Sequence, residues 1–112
     1  MAAELSLTID RGPDGMPRVT ATGEIDLSNV AQLIHALNAA SEGSRRPITI
    51  DLSTVKYLDS AGINVLFNHA DKVDRVHIIV HRLLIRVLTI CGLDKVATLE
   101  AAPPPPPADG DG

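Results

Sequence analysis

The chain has 112 residues, a formal net charge of −4 and 45% apolar residues, which suits one domain with a single core. It has one Tyr, one Phe, no Trp and no basic stripe, so direct binding of nucleic acid is not expected. One cysteine excludes an intramolecular disulfide. The N-terminus lacks a signal-peptide pattern, and no apolar run approaches the roughly 18 residues that span a bilayer. We therefore expect a cytoplasmic protein with no membrane contact.

Apolar spacing predicts strands and helices in regular alternation. Residues 5–9 and 18–25 alternate as strands do, and the turn-rich RGPDGMP between them predicts a hairpin. The later predicted elements are a helix from Val30 that ends at 42–44, a strand over 47–58, a helix just after Asp59, a strand over 75–81, a helix over 83–90 and a last short strand within 94–99.

The order β-β-α-β-α-β-α-(β) predicts an α/β fold with a mixed sheet of four to five strands. Helical crossovers require parallel neighbours, and the hairpin adds an antiparallel edge. The domain is expected to cover residues 1–100. Residues 101–112, AAPPPPPADGDG, differ in composition and are expected to form a disordered, proline-rich acidic tail.

The segment YLDSAGINVL at 57–66 is the most informative part of the chain. It places the Ser60 hydroxyl where a strand ends and a helix begins, followed by two small residues that leave it uncovered. Ser60 is either the helix N-cap or a site that a kinase can phosphorylate, and Asp59 could itself be the cap. A phosphate at a helix N-terminus would meet exposed amides, so the fold should survive it.

Catalytic, metal and cofactor sites are not expected. DSAG is not a GxSxG nucleophile motif, and no histidine can be placed beside Ser60. His77 and His81 would lie roughly 13 Å apart along one strand, too far to share an ion. There is no GxxxxGK[ST] phosphate loop. Cys91 is predicted to be a small buried hydrophobe rather than a reactive thiol.

Five short segments resemble the STAS-domain family, in particular the anti-sigma factor antagonists. They are GEID at 23–26, IDLS at 50–53, LDSAGI at 58–63, RVL at 86–88 and CGLD at 91–94. The resemblance covers roughly residues 4–100. It implies a STAS-like sheet with helices packed mainly on one face, which agrees with the predicted element order.

The resemblance also implies a function. The unphosphorylated protein would bind an anti-sigma factor, usually a serine kinase of the GHKL type, and so free a sigma factor. That kinase would phosphorylate Ser60 and end the complex, and a phosphatase would reset it. The implied partner surface comprises Asp26, Asp59, Ser60, Gly62, Ile63 and Asn64.

Asn64 departs from the family pattern, which often has Gly there, and could tune the choice of partner. The apolar third helix is either a core face or a surface for self-association, so a monomer or weak homodimer is expected. Two alternatives remain: a STAS binding module that is not phosphorylated, such as a transporter accessory subunit, and a nucleotide-binding regulatory domain. Redox at Cys91 could replace phosphorylation as the input.

Overall fold

The structure is a computed structural model that describes residues 4–103. The strands are β1 (Leu5–Arg11), β2 (Pro17–Ile25), β3 (Ile48–Leu58), β4 (Val76–Val80) and β5 (Thr98–Ala101). The helices are α1 (Val30–Ser41), α2 (Ser60–Ala70) and α3 (Arg82–Ile90), with a short 3-10 helix at Leu93–Lys95. No helix within 4–103 is long and apolar enough to cross a membrane.

The five strands form one mixed sheet in the order β1-β2-β3-β4-β5, which is also their order in the chain. β1 and β2 pair antiparallel, and every later pair is parallel. A helix therefore connects each parallel pair, because parallel neighbours need a crossover. The predicted fold class and element order are confirmed.

The core lies between one face of the sheet and the three helices. Alternate residues of β3, such as Ile50 and Leu52, are fully buried, whereas Thr49 and Asp51 on the other face are half-exposed. This period-two pattern means that only one face of the sheet is covered. The largest fully buried side chains include Ile25, Leu33, Leu37, Ile48, Ile50, Leu52, Leu66, Ile78, Leu88 and Leu93.

The chain after α3 differs in detail from the prediction. Gly92 takes a left-handed conformation with φ 91° and ends the helical region. Leu93 then enters the core within the 3-10 helix. The last strand, β5, begins at Thr98 within the predicted span and continues two residues beyond it, to Ala101.

The predicted tail, 101–112, begins inside the sheet. Ala101 is the last residue of β5, and the Ala102 N–H donates to the Val80 carbonyl at 2.8 Å. The remainder of the predicted tail, 104–112, lies outside the described residues.

The spacing of Leu84, Val87 and Leu88 predicts that all three face the core, but helix α3 buries fewer side chains than that. Leu88 is fully buried and Leu84 is half-buried, but Val87 is 46% exposed. Cys91, which follows the helix, is also exposed, so the prediction that it is buried is wrong. Six of the nine residues of α3 are apolar, and only one side of the helix can face the sheet, so several of them must point to solvent.

Candidate functional site

The carboxyl ends of β2 and β3 meet at one edge of the sheet. Ile25 lies beside Leu58 in the parallel register, and the Asp59 N–H donates to the Ile25 carbonyl at 3.2 Å. The residue that follows each strand is an aspartate. The two strands thus bring Asp26 and Asp59 to the same edge, although they are far apart in sequence.

Helix α2 begins with Asp59 as its N-cap. Asp59 has an extended backbone, with φ −91° and ψ −175°. Its Oδ1 accepts hydrogen bonds from the N–H groups of Ala61 at 3.0 Å and Gly62 at 3.2 Å. A carboxylate here satisfies helix-terminal donors and complements the helix dipole. Ser60 is therefore not the cap, and of the two caps that the sequence allows the structure has Asp59.

Ser60 is the first residue of α2 and is exposed. Within residues 4–103 its hydroxyl has no hydrogen-bond partner. Asp59 holds the backbone on one side, and the small Ala61 follows on the other. The hydroxyl therefore stands open to solvent on a well-defined backbone, a geometry that a kinase active site can reach.

Gly62 lies beneath this surface rather than on it. A Cβ at Gly62 would clash with Leu58 Cδ1 and lie 2.9 Å from Ile25 Cγ2. The absence of a side chain lets α2 pack closely on the ends of β2 and β3. Of the residues predicted for the partner surface, Gly62 is placed as a buried spacer.

Ile63 and Asn64 lie one helical turn after Ser60. Positions three and four apart share a helix face. Asn64 is exposed beside Ser60, whereas Ile63 is half-buried and packs against the core. Of the predicted residues, Ser60 and Asn64 are thus exposed, Asp26, Asp59 and Ile63 are half-buried, and Gly62 is buried.

A hydrogen-bonded turn follows β2 at the same edge. Asp26 Oδ1 accepts from the Ser28 N–H at 2.9 Å and from the Ser28 hydroxyl at 2.6 Å. The Asn29 side chain accepts from the Asp26 N–H at 3.0 Å and donates to the Glu24 carbonyl at 2.9 Å. Asn29 is only 3% exposed. Its buried side chain therefore fastens the turn.

Leu27 is at the outside of this turn and is 77% exposed. The sequence pattern does not single it out, because DLSN reads as a row of helix-capping residues. In the structure Asn29 stands at the N-cap position of α1, but its side chain does not cap the helix. An apolar residue between two turn-forming polar residues is the signal that could have identified Leu27.

His69 is the histidine on α2, and it lies far from Ser60. Nine residues of helix separate them, about 14 Å. His69 is buried, and its Nε2 is 2.9 Å from the Ser41 hydroxyl of α1. Burial lowers the pKa of His69, and the charge of Lys72 lowers it further. This pair joins the far end of α2 to α1 and does not supply a base to Ser60.

His77 and His81, which the sequence places too far apart to share a metal ion, each make a local contact. His77 Nε2 is 2.7 Å from Glu100 Oε1, and His81 Nδ1 accepts from the Leu83 N–H at 3.1 Å. Among residues 4–103, no group of three His, Cys, Asp or Glu side chains could hold a metal ion.

Among the surface clefts formed by residues 4–103, two of similar size lie away from this edge. One of about 570 Å³ is bordered by Lys56, His81 and Arg82, and one of about 530 Å³ by Arg75 and His77. Neither is lined by Ser60 or Asp26. The site around Ser60 is an open surface, which suits a protein partner better than a small ligand.

Solved structures with the same fold include an anti-sigma factor antagonist from Mycobacterium paratuberculosis. It has 27% sequence identity and a TM-score of 0.78, over 87% of this chain and 86% of that one. SpoIIAA, an anti-sigma factor antagonist in its unphosphorylated form, is 15% identical with a TM-score of 0.69, over 88% and 89% of the two chains. A protein with a SpoIIAA-like fold from Shewanella loihica PV-4 is 17% identical with a TM-score of 0.61, over 93% and 90%.

The comparison with curated proteins found no match to this chain. A family model described as Mlab, STAS domain, matches residues 10–100. That span includes the end of β1, all of β2, β3 and β4, and β5 except for Ala101. It also includes both segments that form the edge around Ser60. On this match the chain belongs to the STAS domain family.

Proposed function

We propose that the protein is a cytoplasmic anti-sigma factor antagonist that is switched by phosphorylation of Ser60. Its unphosphorylated form binds an anti-sigma factor that is itself a GHKL-type serine kinase, and the sigma factor is released. The kinase then phosphorylates Ser60 and the complex dissociates until a phosphatase removes the phosphate. The protein acts as a binding partner and phosphate acceptor, not as an enzyme.

The observation that carries this proposal is the open Ser60 hydroxyl at a capped helix start. The similarity to the mycobacterial antagonist, at 27% identity over most of both chains, supports the same partner class. The edge also joins Asp26 and Asp59, two residues that the family resemblance assigns to the partner surface. Ser60 is exposed and lines neither of the two clefts described above, which favours recognition by a protein.

The Asp59 cap explains how a phosphate would act as a switch. A phosphoserine carries about −1.5 to −2 charges at neutral pH. The Ala61 and Gly62 amides already bond to Asp59, so they are not free to neutralise it. The phosphate would therefore remain at the surface beside a carboxylate, where an unmatched charge opposes close docking of a partner.

The test uses each GHKL-type anti-sigma factor encoded in the same genome, purified and mixed with the full chain. With Mg²⁺ and ATP, mass spectrometry should find one phosphate, on the peptide that contains Ser60. Ser60→Ala should bind the anti-sigma factor without being phosphorylated. Ser60→Glu should bind at least about tenfold more weakly, which corresponds to about 1.4 kcal/mol.

Asn68→Glu is the matched control, because it adds the same charge at an exposed position of α2 two turns away. It should leave the affinity close to that of the wild type. Equal binding by wild type, Ser60→Ala and Ser60→Glu would contradict the switch and favour a STAS module that is not phosphorylated.

A further inference from the structure

Leu27 is the most exposed apolar side chain at the edge that carries Ser60. It is 77% exposed and directly follows Asp26. Leu83 and Ile90 are comparably exposed, but both belong to α3. A large apolar side chain that is exposed to solvent at a candidate partner surface has the properties of an interface anchor.

The turn around Leu27 is held in one conformation. Asp26 accepts two hydrogen bonds from Ser28, and the buried Asn29 side chain accepts from the Asp26 N–H and donates to the Glu24 carbonyl. The Asn29 N–H also donates to the Asp26 carbonyl at 3.1 Å. A side chain on a fixed backbone loses little conformational entropy when a partner binds it. The turn thus presents Leu27 ready for docking.

The two segments that build this edge contain no cationic side chain. Residues 19–44 and 57–71 lack both Lys and Arg but include Glu24, Asp26 and Asp59. Lys56 precedes the second segment and lines the separate cleft beside Arg82. The surroundings of Leu27 therefore favour a partner that brings positive charge.

Resting on the proposed function, we propose that Leu27 is the apolar anchor of the interface with the anti-sigma factor. It enters an apolar pocket of that partner, and cationic side chains at the rim of the pocket face Glu24 and Asp26. Ser60 and Leu27 then have separate tasks at one edge. Leu27 holds the complex together, and the phosphate on Ser60 ends it.

The test compares two leucines with similar exposure. Leu27→Ala and Leu83→Ala remove the same atoms from positions that are 77% and 73% exposed. Binding is measured to the anti-sigma factor that phosphorylates Ser60. Leu27→Ala should weaken binding about tenfold or more, mainly through faster dissociation, and Leu83→Ala should stay within about twofold of the wild type. Leu27→Met keeps the apolar bulk and should bind within about threefold of the wild type.

Two further measurements test whether Leu27→Ala changes stability and whether the partner is cationic. Urea unfolding should give the same midpoint for Leu27→Ala and the wild type, because the side chain is mostly in solvent. The association rate of the wild type should fall as salt is added, since a cationic partner is steered to an acidic edge.

The possible outcomes distinguish the anchor from the function. If the wild type binds and phosphorylation releases it, but Leu27→Ala binds equally well, the anchor is refuted and the proposed function stands. If no anti-sigma factor binds the wild type, both are refuted. If Leu27→Ala instead abolishes self-association seen by sedimentation and leaves anti-sigma factor binding intact, Leu27 contacts a second copy and the anchor is again refuted.

Discussion

Helices α2 and α3 both begin directly after a core strand, but they are attached to the protein differently. The cap of α2 accepts two backbone hydrogen bonds through Asp59, whereas the cap of α3 accepts one through His81. Helix α2 buries four residues, including Gly62 near its start and His69 near its end, and α3 buries only Leu88. Helix α2, which displays Ser60, thus has buried residues near both ends. In α3 the buried residue lies only near the end, and Leu83, Val87 and Ile90 are exposed.

This difference indicates where the molecule needs a defined geometry. Under the proposed function, a kinase would have to find Ser60 in one orientation, and a partner would have to find Asp26 and Asn64 at fixed distances from it. Because α2 is held in place before binding, less conformational entropy would be lost when the complex forms. Nothing comparable fixes the outer face of α3.

Among variants that test this difference between α2 and α3, Gly62→Ala is expected to change the free energy of unfolding most. The new Cβ would crowd Leu58 and Ile25. Overpacking of this kind costs about 1–3 kcal/mol, and the better helix propensity of Ala returns up to about 1 kcal/mol. We expect a net loss of about 1–2 kcal/mol in the free energy of unfolding, measured with urea. Asn64→Ala, at an exposed position of the same helix, should change it by less than about 0.5 kcal/mol.

A Gly62→Ala protein as stable as the wild type would show that the close approach of α2 to the strand ends is unimportant. The contrast between the two helices would then rest on the caps alone.

The caps themselves give the next largest effect. Asp59→Ala removes the acceptor for two amides and should cost about 1 kcal/mol, within the range of about 0.5–2 kcal/mol for lost caps. His81→Ala removes the acceptor for one amide, for which we expect about 0.5 kcal/mol. Asp59→Asn keeps an acceptor oxygen and should lie close to the wild type. Equal losses for the two alanine variants in urea unfolding would remove the proposed difference between the helix starts.

The smallest expected change is in the pH dependence of the free energy of unfolding, and it comes from His69 near the end of α2. Burial lowers the pKa of His69 in the folded protein, and Lys72 adds to this. The unfolded chain, with a histidine pKa of about 6.5, therefore binds this proton more readily than the folded one. His69 should reduce the free energy of unfolding as the pH falls below about 7, and the reduction should grow until the folded pKa is reached.

The measurement is urea unfolding at several pH values for the wild type and for His69→Gln. The variant should lose the part of the pH dependence that His69 causes. His35→Gln, at an exposed position of α1, should keep it. A wild-type profile that matches the His69→Gln profile would mean that His69 does not fix α2 through its neutral form.

The sequence predicts the fold well because its signals are local and agree with one another. Alternating apolar residues mark β1 and β2, and the GSRRP segment before β3 separates it from α1. The start of α2 after LDS is predicted for the same reason, since two good capping residues stand together there. The choice between Asp59 and Ser60 is not predictable, because it depends on the backbone angles at the end of β3.

Side-chain exposure is predicted less well where apolar residues surround a helix. Helix α3 has apolar residues on several faces, so spacing alone does not show that Leu88 faces the sheet and Val87 and Cys91 face solvent. Leu27 is missed for a related reason. Its neighbours are recognised as capping residues, yet the bonds that they form with each other only become visible in three dimensions.

The strands follow the same order in the sheet as in the chain, so the edge around Ser60 is built from one continuous part of the sequence. Its strands and helices all lie between Pro17 and Ala70, and β2 and β3 are direct neighbours. A chain emerging from the ribosome therefore contains every residue of this edge before α3 and β5 have been synthesised. The later elements β4, α3 and β5 complete the sheet beyond β3, and none of them contains a residue of this edge.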